Sequence, residues 1–183
     1  INENGDLSFE FDSGSPIYTS PSILEFNGNI KIFFGNDDNK IFAIGINGDL
    51  FEGFPLSVVG GSSSFGIVSE SIVFEDLDFD GLPEIIFGDD MGKLNILKSN
   101  NGNFNDLSFY NNMPISNISA FASSVNIADI DNDGDLDIFS GSTGNMQVID
   151  IKEQSDSNSY WNLFRLNYLR NGYYQSNVSC NLG

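Results

Sequence analysis

Nine of the chain's 26 carboxylates fall in two short stretches. In Asp129-Ile-Asp131-Asn-Asp133-Gly134-Asp135-Leu-Asp137 an acid stands at every second position, and a glycine allows a sharp turn. The stretch then runs into an apolar segment, Ile138-Phe139-Ser140-Gly141. Oxygen-only ligands at this density suit a hard cation, and Ca2+ accepts about six to eight of them with loose geometry. Without a cation the carboxylates would repel one another at short range. The plainer alternative is a solvated acidic turn, since Asp and Gly favour turns in any case.

Recurrence weighs against the plain turn. Fifty-three residues upstream stands Asp76-Leu-Asp78-Phe-Asp80-Gly81-Leu82-Pro-Glu84-Ile-Ile-Phe-Gly88, which matches the later stretch without a gap. A further step of 53 reaches Ile23-Leu-Glu25-Phe-Asn27-Gly28-Asn29-Ile-Lys31-Ile-Phe-Phe-Gly35. In that copy the strand and both glycines persist but the ligands do not. Ile23 stands at the position of Asp76, Asn27 at that of Asp80 and Lys31 at that of Glu84. A lysine there puts an ammonium where a metal's charge would sit, with Glu25 as its expected partner. The expectation is therefore two metal loops and one metal-free copy.

A helix-loop-helix calcium site needs a bidentate acid at its twelfth position. Counting from Asp76 and Asp129, the twelfth residues are Phe87 and Ser140, so that loop type fails. Acids at loop positions 1, 3, 5 and 9, with a backbone carbonyl at position 7, fit instead. One site then comprises Asp76, Asp78, Asp80 and Glu84 with the carbonyl of Leu82. The other comprises Asp129, Asp131, Asp133 and Asp137 with the carbonyl of Asp135. Strand-like flanks predict that each loop joins two strands of one sheet.

The pattern D-x-D-x-D-G-x-x-[DE]-I followed by an apolar strand ending in Gly resembles the FG-GAP/VCBS repeats of integrin-α-like β-propellers. Three copies over roughly residues 15 to 155 carry the likeness, two of them with the full acidic motif. The resemblance implies four-stranded antiparallel blades around an axis, with a calcium ion in the loop between a blade's first two strands.

Apolar runs mark the strands that flank these loops. Ile32-Phe-Phe, Ile85-Ile-Phe and Ile138-Phe-Ser read as inner strands. After turn-forming residues come Lys40-Ile-Phe-Ala-Ile, Lys93-Leu-Asn-Ile-Leu and Met146-Gln-Val-Ile-Asp. An outer strand is expected near Leu50 to Leu56 and near Asn103 to Tyr110. Asn47-Gly48 is a favoured hairpin turn. Its echo, Asn4-Gly5-Asp6-Leu-Ser-Phe, predicts that the chain opens on the last strand of a blade. The spacing thus predicts an all-β fold of about three and a half blades. Residues 1–159 would form blades, with loops near 23–31, 76–84 and 129–137, and 160–183 would form an aromatic capping segment and exit tail. Tyr160 to Leu169 carries a weak helical period, and Trp161 offers capping or, as the sharper alternative, a sugar-binding platform.

Composition bounds the function. A net charge of −19 argues against nucleic acid or an anionic membrane as partner, because both need basic patches. No apolar run approaches the length of a membrane-spanning helix. The lack of His removes Ser-His-Asp and Cys-His nucleophiles and His-based zinc sites, and the single Cys180 gives no disulfide framework. The opening at Ile1 reads as a processed or excised piece. Asn117-Ile-Ser119 and Asn177-Val-Ser179 are glycosylation sequons by pattern alone. Too few blades to close a ring would leave sheet edges that pair with other copies or other segments of the same protein. These features favour a non-catalytic, calcium-stabilised extracellular module of structural, assembly or adhesive role, with protein or glycan ligands. The alternatives are a lectin-like propeller and, further off, part of a polysaccharide-degrading enzyme, whose paired acids would have to come from outside the loops.

Overall fold

The computed structural model describes residue 4 and residues 6–57, 59, 65–68, 70–116 and 119–154. Among these residues there are eleven strands and no helix, arranged in three sheets whose paired neighbours are all antiparallel. The first sheet runs β1 (Ser22–Phe26), β2 (Asn29–Asn36), β3 (Lys40–Ile44). The second runs β4 (Val73–Glu75), β5 (Glu84–Gly88), β6 (Lys93–Ser99), β7 (Leu107–Phe109), with β8 (Ile115–Ser116) also on β6. The third holds β9 (Asn126–Ala128), β10 (Asp135–Gly141) and β11 (Met146–Gln154) in the same order.

Unbroken apolar runs become inner strands because both of their faces are covered. On β5, Ile85 and Phe87 enter one core with Leu24, Phe33 and Phe74, while Ile86 enters another with Val73, Val125 and Ile138. One core therefore joins the first sheet to the second and the other joins the second to the third. Rings make much of the first core: Phe33 lies 4.8 Å from Phe74 and 5.6 Å from Phe54 between centroids. This is the blade-like part of a propeller, and among the described residues it does not close into a ring.

The outer strand comes in two pieces rather than one. In the second sheet β7 pairs with the far end of β6 at Leu97–Ser99, and β8 with its near end at Lys93 and Leu94. In the first, isolated bridges Ile44↔Leu50 and Ile41↔Leu56 repeat that division on β3. The Asn47-Gly48 turn closes this hairpin as expected, with Gly48 at φ +83° and the Gly45 N–H donating to the Asp49 carbonyl at 2.8 Å. Asn103 to Asp106, expected within the outer strand, lie in the turn that precedes it.

Two further expectations need correction. Residues 6–12 form no strand; instead Phe9 and Phe11 lay their rings on the first sheet, Phe11 against Phe34 and Phe42 at 5.8 and 5.6 Å. The first copy also leaves the fifty-three-residue register upstream of its turn. β4 pairs Glu75 with Glu84 and β9 pairs Ala128 with Asp137, but in the first sheet Leu24 faces Lys31. Its loop is two residues shorter, and the strands zip up to a tight Asn27-Gly28 turn with φ +52° and +73°. The capping segment 160–183, including Trp161 and Cys180, lies outside the described residues, as do Asn117 and Asn177 of the two sequons.

The glycines that end the inner strands mark where the chain crosses to the next blade. A Cβ on Gly35 would meet the Val68 carbonyl oxygen at 2.9 Å, and one on Gly88 would meet the Phe121 ring. Val68 and Phe121 are themselves one repeat apart. Gly88→Ala is expected to destabilise by about 1–3 kcal/mol, the usual range for overpacking. Urea unfolding measures this, and an unchanged midpoint would contradict the close approach.

Candidate metal centre

Both acidic loops join the first two strands of a sheet, β4 to β5 and β9 to β10. Each is wound by a closely similar set of internal hydrogen bonds, differing only in whether the fifth or the fourth residue donates to the first acid. The first acid accepts backbone N–H groups from across the loop. Asp76 takes those of Asp80 (3.1 Å) and Gly81 (2.9 Å), and Asp129 takes those of Asn132 (2.7 Å) and Gly134 (3.2 Å). The last acid accepts the N–H that follows the first: Leu77 to Glu84 at 2.7 Å, and Ile130 to Asp137 at 2.9 Å. The fifth-position acid caps the turn, with Leu82 donating to Asp80 at 2.8 Å and Asp135 to Asp133 at 3.3 Å. Left-handed backbone at Phe79 and Gly81, and at Asn132 and Gly134, lets the chain fold back on its carboxylates.

This winding gathers carboxylates. Asp76, Asp78 and Glu84 each bring an oxygen to within 4.8 Å of the others, and so do Asp129, Asp131 and Asp137. Positions 1, 3 and 9 are thus united in both loops. Asp80 stays with its turn and is not in the first cluster. Asp133 belongs to a different one, with Asp131 and Asp150, again within 4.8 Å. Asp150 was not foreseen: it reaches the loop only because β11 places it opposite Asp137. Lys152, two residues on, was missed as well; it is bonded to Asp150 and lies 3.4 Å from Asp133. An i, i+2 pair of opposite charge on a strand beside an acidic loop was the available signal.

The electrostatics are those of acids held together. Glu84 is 1 % exposed, and its carboxyl is pushed up to about 9, by burial first and then by Asp78, Asp76 and Asp80, against the favourable Leu77 N–H. Asp76 is also raised, chiefly by burial. In the third sheet Asp131 is raised by desolvation and by Asp133, and Asp135 is raised to about 6 by desolvation and by sharing a hydrogen bond with Asp133. Asp133 is lowered by that same bond and by Lys152. An all-oxygen donor set with clustered, partly desolvated charge fits a hard divalent cation, which would remove the penalty each acid imposes on the next.

The first copy does not repeat the site. Lys31, 6 % exposed, sets its Nζ over the rings of Phe51 and Phe104, 4.9 and 5.3 Å from their centroids. The sheet register places it at the position of Glu84, and Glu25 at that of Asp76.

No curated protein sequence matches the chain. Residues 76–140, from the first acid of one loop to the strand beyond the next, match the family model of the FG-GAP-like repeat. That stretch is similar to an FG-GAP-like repeat, and the antiparallel sheets it runs through are blade-like, as in a fragment of a β-propeller.

Proposed function

We propose that the chain is a non-catalytic, calcium-stabilised propeller module of a protein working outside the cell, in a structural, assembly or adhesive role. The observation that carries this is the closely similar winding of two acidic loops 53 residues apart, each presenting a three-carboxylate cluster. Asp76, Asp78 and Glu84 would hold one ion and Asp129, Asp131 and Asp137 the other, with Asp80, Asp133 and the carbonyls of Leu82 and Asp135 completing the shells. Calcium supplies charge neutralisation and fixes the strand connection. The likeness to FG-GAP repeats and the strongly acidic chain support a calcium-rich medium such as the outside of the cell. The clustered acids serve the loops, which supports a binding or structural role over acid–base catalysis.

Calorimetric titration tests the assignment. The expected stoichiometry is two Ca2+ per chain, falling to one in Asp131→Ala and staying at two in Glu25→Ala. A drop in Glu25→Ala would show that the first copy holds an ion too. Self-association through sheet edges is tested separately by light scattering behind size exclusion: concentration-dependent oligomers are expected, and a monomer at all concentrations removes the assembly role.

A further inference from the structure

Where the second and third sheets collect acids, the first presents an ammonium in a cleft. The cleft has a volume of about 280 Å³. Its floor is Lys31; Asn27 and Asn29 come from the β1–β2 turn, Phe51 and Glu52 from the segment beyond β3, and Asn103 and Asn105 from the β6–β7 turn of the next sheet. The Lys31 ammonium is desolvated, and burial lowers its pKa. Among the described residues it enters no ion pair; those present are Lys40–Asp38, Lys152–Asp133 and Lys152–Asp150. Two aromatic faces are its neighbours, which attract the ammonium without neutralising its charge. Asn105 is committed to Glu52 by a 3.3 Å hydrogen bond, which ties the two sheets together at the cleft's rim.

We propose that this cleft is a binding site for a hexuronate unit, its carboxylate on Lys31 and its hydroxyls on the asparagine amides. The chemistry selects this class. One buried ammonium matches one carboxylate, and the rim carboxylate of Glu52 and a chain charge of −19 disfavour the two charges that phosphate concentrates on a single group, whereas a hexuronate brings one charge per ring. The volume is near the lower end of small-molecule sites, roughly 300 Å³ and upward, and so takes one ring rather than an extended peptide. The rings of Phe26 and Phe51 beside asparagine amides suit a sugar's apolar face and its hydroxyls together. The site is separate from both metal loops and does not rest on the calcium reading.

The test is titration of the protein in saturating Ca2+ with digalacturonate, with a neutral galactose disaccharide and with inorganic phosphate, followed by calorimetry. Saturable digalacturonate binding is expected, with the neutral sugar and phosphate each weaker by at least about tenfold. Lys31→Met keeps the stem between the two rings and removes the charge, and should weaken digalacturonate binding by at least about tenfold while the protein still takes up two Ca2+. Asn103→Asp, at an exposed position, adds an anion to the rim without touching the core and should weaken it in the same direction. The proposal is overturned if digalacturonate does not bind, if phosphate binds more tightly, or if Lys31→Met binds digalacturonate as the parent does. Loss of calcium uptake in the parent would instead defeat the proposed function and leave this site standing.

Discussion

Stripping the protein with a chelator is expected to lower its melting temperature by about 10–20 °C. An ion present at roughly a hundred times its dissociation constant stabilises the native state by about 2.7 kcal/mol, and two independent sites give about twice that. For a domain of this size each kcal/mol moves the melting point by roughly 2–4 °C. The effect reaches beyond the loops because their end residues are strand residues: Glu84 opens β5 and pairs across to Glu75 on β4, both of them buried. Without an ion Glu84 stays buried at neutral pH only by taking up a proton, and that cost falls on the strand pair that lies between the two cores. Scanning calorimetry with and without chelator decides it, and Mg2+ in place of Ca2+ should recover only part of the loss, since it demands a tighter octahedral shell. A melting point indifferent to the chelator would make the acidic loops plain solvated turns.

The two acidic loops were legible in the sequence because their ligands are local. Asp76 to Glu84 and Asp129 to Asp137 are each wound by hydrogen bonds spanning two to seven residues, so spacing alone carries the geometry. Strands β2, β5 and β10 were legible for a similar reason, as runs of Ile and Phe that must be covered on both faces. What escaped depends on partners distant in sequence. Asp150 joins the third cluster through the β10–β11 register, which no local pattern encodes. The shortened first loop was hidden because Gly28 and Gly35 keep the repeat spacing downstream of the turn, while the two missing residues shift only β1. Thr19 shows the shift independently: its hydroxyl bonds Gly35 as that of Ser123 bonds Gly141, although Thr19 and Ser123 are two residues short of a whole number of repeats. Phe9 and Phe11 echoed a later strand, yet they serve as ring contacts on a sheet face, a choice made by tertiary packing.

Glu84→Gln should change sign with calcium. In the metal-free protein Glu84 has a folded pKa of about 9 against an unfolded value near 4.5. The folded state therefore holds the proton more tightly, and its stabilising contribution, complete below about pH 4.5, is lost as pH rises toward 9. At neutral pH folding must protonate Glu84, which the unfolded chain leaves ionised, and this costs on the order of a few kcal/mol. Asp135, raised to about 6, adds a slope of the same sign. Lys31, lowered by burial, gives the opposite slope toward the alkaline end. Glutamine keeps the acceptor for the Leu77 N–H and is neutral without taking up a proton, so in chelator at pH 7 to 8 the variant should melt above the parent and lose much of the pH dependence. In saturating calcium the order reverses, because the parent gains an ion that the variant binds poorly, and the variant should melt several degrees lower. Melting curves of both proteins across pH 5.5 to 8.5, with and without calcium, give the answer. A variant that melts below the parent in both media would mean that Glu84 supports the strand pair by itself, with the cation secondary.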